Sequence, residues 1–374
     1  MPWTQTPPIQ LTHGPLHHAF TSLASWNGDY YVAYRQAPTH GITPPGVVQI
    51  HRVPLGCLLE EEWDESFVSV PRETLSLGNV QADIRDPRLV ASEEALYCIC
   101  GVYQPTWPAT ALSPNSPWNT IQSYVSYTED GDSWSPLQPV GRPGYWIWSA
   151  VAVPWLRKWF AAAYHTGGRD ETSSIVLLGG ESLLTLGMHA LIYDGSSLRR
   201  SGTIFDHPHV SPAEPVLFVQ DATTLGCCLR TETGMEIGVA QYPYQDWRWH
   251  STQTLAPISI DIHPSAVLET SHGRLLVGRE IQAEYVGVYQ PSKYTTTTSL
   301  YRLDAQHVSA PLLRLPSTGD TGYAGLCATP DPDRFLISYY SQHTTGQSFR
   351  ARLPGSQVFL AAVTAPQCQA ARSS

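Results

Sequence analysis

The sequence is poor in charge, and the charge that it has is mostly negative. Asp, Glu, Lys and Arg make up 14% of the 374 residues, and the net charge is −10 at neutral pH. Nucleic-acid binding needs a basic face to meet the phosphates, so this balance excludes nucleic acid as an expected partner. Apolar residues make up 42% of the chain, which is enough for a substantial core and excludes a disordered chain.

Long apolar runs are also missing. No run approaches the roughly 20 residues that a membrane-spanning helix requires, so we expect no membrane association. Residues 1–5 have neither the basic nor the apolar region of a signal peptide. The seven cysteines show no metal-type spacing such as C-x-x-C, and Cys98, Cys100, Cys227 and Cys228 lie in apolar runs. We expect these four to be buried and reduced, which favours a cytoplasmic location.

Helical periodicity is absent over any long stretch, whereas 31 prolines and 28 glycines are spread along the chain. This composition predicts short strands joined by many turns. All-β folds of this length often form a single unit. We therefore expect one domain over residues 1–366 and a flexible C-terminal tail over residues 367–374.

One structural unit recurs six times: a strand, a turn, and a second apolar strand that ends in a polar or aromatic residue. The midpoints of the second strands are Ala33, Ile99, Ala162, Cys228, Val277 and Ile337. They are separated by 66, 63, 66, 49 and 60 residues. Strands that are apolar on both faces indicate blades packed on blades around a centre. The spacing therefore predicts an all-β, six-bladed β-propeller.

Two further segments are expected to complete the last blade. The apolar run 358–363 follows the sixth hairpin and predicts an outer strand. Residues 9–12 could pair in the same blade from the N-terminal end and so close the ring.

The start of each blade's first strand and the end of its second strand meet at one mouth of the central channel. These positions bring together three arginines, a glutamate, a tyrosine and an aspartate. They are Arg35, Arg230, Arg279, Glu214, Tyr323 and Asp86. Guanidiniums that lie close together need carboxylates or an anionic ligand, and arginine binds a carboxylate with two parallel hydrogen bonds. We expect an acidic substrate group; the alternative is that the arginines only pair with nearby carboxylates and hold the blades together.

These strand-end residues resemble those of the sialidase (neuraminidase) superfamily, whose members are six-bladed propellers. The segment 126–134, S-Y-T-E-D-G-D-S-W, resembles the BNR repeat or Asp-box, a turn between the outer strands of a sialidase blade. Sialidases hold the substrate carboxylate with an arginine triad, and Arg35, Arg230 and Arg279 stand at matching strand ends. Sialidases usually carry R-I-P at the first of these arginines, where this chain has Y-R-Q-A-P.

The resemblance also implies a catalytic mechanism. Sialidases use a tyrosine nucleophile activated by a glutamate, an exception to the two-carboxylate scheme of glycoside hydrolases. Tyr323, in G-Y-A-G-L, and Glu214 match these residues. The general acid of sialidases is an aspartate, for which Asp86 is the candidate by its axial position and His40 the second candidate.

Further residues near the same mouth are expected to contact the substrate. They are Arg85, Trp148, Tyr339 and His343. No metal or organic cofactor is implied.

The leading hypothesis is a retaining, exo-acting glycoside hydrolase that acts on a terminal acidic sugar, with a carbohydrate as its partner. One alternative is a non-catalytic propeller that binds a glycan or a protein through the same pocket. Another is a hydrolase or lyase for a different polysaccharide, because a fold alone does not fix a function. The sequence leaves the oligomeric state open.

Overall fold

The structure is a computed structural model. It describes residues 2–41, 44–54, 73–77, 82–103, 121–165, 174–194, 213–231, 234–251, 259–285, 291–304, 307–344 and 355–366. The tail predicted over residues 367–374 lies outside these residues.

The described strands form six antiparallel sheets, which we call blades 1 to 6 in chain order. Blade 1 contains His17–Trp26, Asp29–Ala37, Val47–Pro54 and Glu73–Leu75. Blade 2 contains Asp83–Ala91, Leu96–Tyr103, Ile121–Thr128 and Gln138–Val140. Blade 3 contains Tyr145–Val153, Lys158–His165, Ser174–Gly180 and Gly187–Asp194. Blade 4 contains Ala213–Val219, Thr224–Thr231, Gly234–Gln241 and Arg248–Ser251. Blade 5 contains Ser259–Thr270, Gly273–Tyr285, Pro291–Arg302 and Leu313–Arg314. Blade 6 contains Gly322–Ala328, Arg334–Ser341 and Gln357–Thr364, together with Thr4–Gln5 and Ile9–Gln10.

The blades are arranged in a closed ring. The first strand of each blade contacts the first strand of the next, and the first strand of blade 6 contacts that of blade 1. The six-bladed, all-β propeller predicted from the hairpin spacing is therefore confirmed. The helical segments among the described residues are two single 3₁₀ turns, Pro154–Leu156 and Leu183–Thr185. None of the described helices has the length and apolar character needed to cross a membrane.

The N-terminal end of the chain completes blade 6. Ile9 lies opposite Leu360, and Gln10 lies opposite Phe359, on the outer edge of the strand Gln357–Thr364. The predicted closure is confirmed. Pairing of this kind covers a strand edge that would otherwise expose a row of unpaired backbone groups.

Local chemistry explains the hairpins. In blade 1, Trp26 pairs with Asp29, which leaves Asn27 and Gly28 as a two-residue turn. Both have positive φ, 49° and 82° respectively. A type I′ turn requires this conformation at both central positions, and Asn-Gly is its preferred sequence. The second strand that follows is buried almost throughout, as its near-continuous apolar sequence predicts.

The cysteines of the described chain are free and buried. They are Cys98, Cys100, Cys227, Cys228 and Cys327. Burial raises the pKa of all five thiols. The burial expected for the four in apolar runs is confirmed, and they act as packing residues inside the blades.

The segment 126–134 forms a tight turn at an outer strand of blade 2. Asp130 Oδ1 accepts hydrogen bonds from the backbone N–H groups of Asp132, at 2.8 Å, and Ser133, at 2.7 Å. These bonds lower the pKa of Asp130. Gly131 has φ of 83° and packs against the Tyr31 hydroxyl, so a side chain there would be strained and would clash. The identity of this turn as an Asp-box stays a prediction.

Candidate active site

Every blade has a β-bulge in its first strand, opposite the end of its second strand. A bulge adds a residue on one strand and changes the direction of a side chain. In four blades a bulge residue has left-handed backbone: φ is 60° at Phe20, 51° at Asp86, 56° at Glu214 and 40° at Tyr323. Residues other than glycine seldom adopt this conformation, and such residues concentrate at functional sites. We call the side chains at these bulges, with the arginines beside them, the axial site.

Tyr323 and Glu214 form the centre of the axial site. The Tyr323 hydroxyl donates a hydrogen bond of 2.7 Å to Glu214 Oε1. Arg230 Nη1 donates to the same oxygen at 2.6 Å. Glu214 Oε2 is buried and has no hydrogen-bond partner among the described residues. Tyr323 and Arg230 are partly exposed, so a bound molecule can reach both.

The protonation states of this pair follow from burial and charge. Burial raises the pKa of Tyr323, and the negative charge of Glu214 raises it further. Burial also acts to raise the pKa of Glu214, but the positive charge of Arg230 and of its cationic neighbours holds it below the ordinary value. The resting pair is therefore a neutral phenol that donates to a carboxylate.

Two further guanidiniums lie against Tyr323. Arg279 is 5.6 Å and Arg88 is 5.9 Å from the centroid of the Tyr323 ring. Arg279 donates to His263 Nδ1 through Nε at 3.2 Å. Arg88 stacks on the Trp148 ring at 4.2 Å. Arg230, Arg279 and Arg88 thus lie around Tyr323 and Glu214.

Arg88 was missed by the sequence reasoning. Its Nε and Nη2 are buried and have no hydrogen-bond partner among the described residues. A buried cation with unpaired donors is costly, so these donors indicate a position for an anionic or polar ligand group. The signal in the sequence is D-I-R-D-P-R, in which Arg88 follows the bulge at Asp86 and Pro87.

Asp86 occupies the bulge of blade 2 beside Arg85. Its Oδ2 is 3.3 Å from Arg85 Nε. Burial raises the pKa of Asp86, and the charges of Arg85 and Arg88 only partly offset this effect. The Arg85 guanidinium also lies 4.8 Å from the centroid of the Phe20 ring, and its Nη2 donates to the backbone oxygen of His40 at 3.0 Å. Asp86 is thus a carboxyl group held towards its protonated form.

Aromatic rings surround the nucleophile candidate. The ring centroids of Phe20, Trp148 and Tyr340 lie 5.3, 5.5 and 6.3 Å from that of Tyr323. The Tyr340 and Tyr323 rings are almost parallel, with an angle of 5°. Of these three rings, that of Trp148 was predicted from the sequence to contact the substrate. Rings of this kind suit the apolar face of a sugar.

Arg35 lies in the interior of the protein. Its side chain has no exposed surface, and its Nε and Nη2 donate to Asp83 Oδ1 at 2.9 and 2.6 Å. Nη1 donates to the backbone oxygen of Thr39, and Nη2 also donates to that of Gly41. The predicted partner of Arg35 was a substrate carboxylate, but in this structure each of its nitrogens contacts protein.

We expect Arg35→Met to destabilise the protein by about 3–5 kcal/mol. It removes the hydrogen-bonded partner of the buried Asp83 carboxylate, which keeps only the longer ion pair with Arg85, at 3.6 Å. Urea unfolding measures this loss. Arg52→Met serves as the comparison, since Arg52 and its partner Asp29 are both partly exposed, and it should change stability less. Equal losses in the two variants would contradict the assignment of Arg35 to the scaffold.

Tyr339 and His343 lie away from Tyr323. Tyr339 is fully buried, stacks on Phe359 at 5.4 Å and donates to the backbone oxygen of Pro316 at 3.2 Å. His343 packs on the same Phe359 ring at 4.5 Å. The contact predicted for Tyr339 is instead made by the next residue, Tyr340, because successive side chains of a strand point to opposite faces.

His40 is half exposed and lies at the edge of the axial site, 5.2 Å from Phe20 between ring centroids. Its Nδ1 is 2.6 Å from Asp320 Oδ2. Asp320 also binds His17, and neither of these two residues was singled out from the sequence.

A cavity of about 1100 Å³ lies at the other end of the hairpins. Its walls include the turns between first and second strands, such as residues 27–28, 92–94 and 328–330. None of the bulge residues lines it, so the axial site and this cavity are separate features.

Solved structures share this fold at low sequence identity. A sialidase from Trypanosoma rangeli matches with a TM-score of 0.58 at 10% identity, over 93% of this chain and 55% of that one. This chain has a sialidase-like propeller fold. It spans about half the length of the T. rangeli sialidases that it matches. No protein-family model and no curated protein matches the sequence.

Two further structures share the sialidase-like propeller. The α-L-arabinanase of Penicillium chrysogenum, solved with arabinobiose, matches with a TM-score of 0.57 at 10% identity, over 96% of this chain and 98% of that one. The endosialidase of phage phi92 matches with a TM-score of 0.58 at 7% identity, over 98% of this chain and 70% of that one. At such identities the likeness establishes the fold, and function has to be argued from the axial site.

Proposed function

We propose that this sialidase-like propeller is a retaining glycoside hydrolase that releases a terminal acidic sugar. The observation that carries the proposal is the 2.7 Å hydrogen bond from Tyr323 to Glu214, with Arg230 on the same carboxylate oxygen. A phenol is a weak nucleophile until a base takes its proton. An ionised glutamate within hydrogen-bond distance is such a base.

In the first step, the Tyr323 oxygen attacks the anomeric carbon while its proton passes to Glu214 Oε1. The bond from the anomeric carbon to the leaving oxygen breaks, and Asp86 gives that oxygen a proton. In the second step, water gives a proton to Asp86 and displaces Tyr323, which recovers its proton from Glu214. Two displacements at one carbon retain its configuration.

A neutral phenol suits a substrate that already carries a carboxylate. It places no second anion beside that group before the reaction begins. The axial site instead has an excess of positive charge: the guanidiniums of Arg85, Arg88, Arg230 and Arg279 face the carboxyl groups of Glu214 and Asp86. Such an arrangement attracts an anion even on a protein that is acidic as a whole.

In this proposal the carboxylate of the substrate binds Arg230, Arg279 and Arg88. Arg88 takes the place that the sequence had suggested for Arg35, since Arg88 has unpaired donors and Arg35 has none exposed. Phe20, Trp148 and Tyr340 supply the apolar wall of the sugar site.

A hydrolase for another polysaccharide is the second candidate. The arabinanase matches this chain over nearly the full length of both proteins, whereas the sialidases extend well beyond it. The burial of Arg35 also leaves the axial site without one arginine of the expected clamp. A site of this kind could take a sugar that lacks a carboxylate.

A panel of fluorogenic aryl glycosides tests these proposals. Turnover of a sialoside or another sugar acid, with retention seen in the first-formed anomer by NMR, supports the main proposal. Turnover of arabinosides or other neutral glycosides alone supports the second candidate. Binding of glycans without any turnover would contradict both and favour a glycan-binding propeller.

We expect Asp86→Asn to lower kcat by roughly 10²–10⁴-fold for substrates with poor leaving groups, because these need a proton on the departing oxygen. Aryl glycosides with acidic phenols need no such proton, so their first step should change little. The wild-type activity should fall as pH rises through the raised pKa of Asp86, and this limb should vanish in the variant. Values of kcat/KM for two leaving groups across pH measure the effect, because they report the first step and not the later attack of water. Equal losses for both leaving groups would count against Asp86 as the general acid.

A further inference from the structure

Beside the axial site, two histidines converge on one carboxylate oxygen. His17 Nε2 lies 2.9 Å and His40 Nδ1 lies 2.6 Å from Asp320 Oδ2. His17 and His40 meet edge to face, with ring centroids 5.1 Å apart. The three residues come from blade 1, from the segment after its second strand, and from the segment before blade 6. The ring closure of the propeller therefore brings them together.

The three atoms form a set that could surround one cation. His17 Nε2, His40 Nδ1 and Asp320 Oδ2 all lie within 4.8 Å of one another. Ligands bound to one zinc-like ion at about 2.1 Å lie roughly 3–3.5 Å apart, so small side-chain rotations suffice to admit an ion. Imidazole nitrogens with one carboxylate oxygen suit zinc and similar divalent transition metals.

We propose that His17, His40 and Asp320 form a binding site for a divalent transition metal ion of the zinc type. Three protein ligands leave a fourth position open for water or for an oxygen atom of a ligand. That position faces outward, because the His40 side chain is 50% exposed while that of His17 is 1% exposed. The proposal does not rest on the glycoside hydrolase assignment.

Two hydrogen bonds outside the cluster fix the orientation of Asp320. The Tyr340 hydroxyl donates to the other oxygen, Asp320 Oδ1, at 2.9 Å, and the backbone N–H of Asp320 donates to Gln342 Oε1 at 2.9 Å. Such outer contacts orient metal-binding carboxylates.

The site is also placed to act with the axial site. Phe20 lies between them, at 5.2 Å from His40 and 5.3 Å from Tyr323 between ring centroids. Tyr340 stacks on Tyr323 and donates to Asp320. An ion here would bind oxygen atoms of a molecule that reaches from the nucleophile towards blade 1.

Titration of metal-free protein with Zn²⁺ tests the proposal. Calorimetry and elemental analysis should show one ion bound at this site in the wild type. His40→Ala and Asp320→Asn should each weaken the binding by at least about 100-fold, since each removes a ligand. Tyr340→Phe should weaken it by about 10-fold to 100-fold, because it removes only the outer contact. Bound Co²⁺ should give visible absorption bands that the first two variants lose.

His272→Ala is the matched control. His272 Nε2 lies 2.7 Å from Asp333 Oδ1, which is a histidine–aspartate pair without a second imidazole. This variant should bind Zn²⁺ as the wild type does. Both ligand variants should fold, because His40 is half exposed and Asp320→Asn preserves the shape of the side chain. Thermal melts of the metal-free variants verify this. The proposal is overturned if wild type and His40→Ala bind the same amount of Zn²⁺. It is also overturned if His272→Ala loses as much Zn²⁺ affinity as His40→Ala does. The cluster would then be a hydrogen-bonded pair of histidines on one aspartate.

Discussion

Tyr323→Phe should lower kcat by on the order of 10⁴-fold or more, because it removes the only atom that can form the covalent intermediate in the proposed reaction. The fold should survive. Phenylalanine keeps the ring that packs against Phe20 and Trp148. Glu214 keeps its ion pair with Arg230, so the free energy of unfolding should change by only about 1 kcal/mol. Single-turnover rates and a urea melt measure the two effects.

Blade 5 provides a control of the same chemistry for this variant. The Tyr301 hydroxyl donates at 3.2 Å to Glu280 Oε2, and Arg314 binds the same carboxylate at 2.8 Å. This trio repeats the residue types of the axial site, but among the described residues it shares no hydrogen bond with Tyr323, Glu214 or Arg230. Tyr301→Phe should therefore keep full activity. Full activity in Tyr323→Phe, or a covalent sugar adduct on another residue, would rule out the proposed nucleophile.

Glu214→Gln should lower kcat by roughly 10²–10⁴-fold, because an amide cannot take the proton of Tyr323. The depressed pKa of Glu214 also sets the acid side of the wild-type pH profile. Activity should fall as pH drops through that pKa, since the protonated acid is no longer a base. Rates measured across the acidic range in wild type and variant test this expectation.

The same group links stability to pH. A carboxylate whose pKa is lower in the folded protein stabilises it above the pKa of the unfolded chain, and this contribution is lost as pH falls through the folded value. Glu214→Gln should therefore make stability less sensitive to acid. Glu280→Gln is the control, because the pKa of Glu280 is also lowered. Burial alone would raise that pKa, but the hydrogen bond from Arg314 to the carboxylate outweighs it. This control should show the stability effect without the loss of activity. Equal losses of activity in the two variants would contradict the role of Glu214.

The propeller could be predicted from sequence because its signal is local. Each hairpin carries its own turn chemistry, such as Asn27-Gly28, and its own apolar strand, and the hairpins recur at similar spacing. Ring closure followed from one strand-like segment at each end of the chain. Both predictions needed only residues that are close in the sequence and the number of hairpins.

The centre of the site could also be anticipated, since Glu214 and Arg230 belong to one hairpin and Tyr323 opens another. Residues at the same end of a hairpin are brought together by the pairing of its two strands, independently of the rest of the chain. Arg230 follows Glu214 by 16 residues, but the matching residue of blade 6 follows Tyr323 by 17 residues, because the turn of blade 6 is one residue longer. Val219 pairs with Leu225 in blade 4, whereas Ala328 pairs with Phe335 in blade 6. One extra residue exchanges the faces of a strand, which places Tyr340 at the axis and Tyr339 in the core.

Contacts between residues of different blades could not be predicted from the sequence, and they decide the role of Arg35. Arg35 and Arg230 hold matching positions, opposite Ala19 and Ala213 at the bulges of their blades. Their environments differ because Asp83, in the next blade, binds Arg35 internally. No local pattern distinguishes an arginine that is satisfied by the next blade from one that awaits a ligand.

The bulge in every first strand has a consequence for how such a protein can change. Among the described residues, the bulges of five blades place Phe20, Asp86, Trp148, Glu214 and Tyr323 at the axial site. A single substitution at one of these positions would alter the chemistry at the axis and leave the other four side chains unchanged. Substrate specificity can therefore change one bulge position at a time while the strand pairing of the six blades is kept.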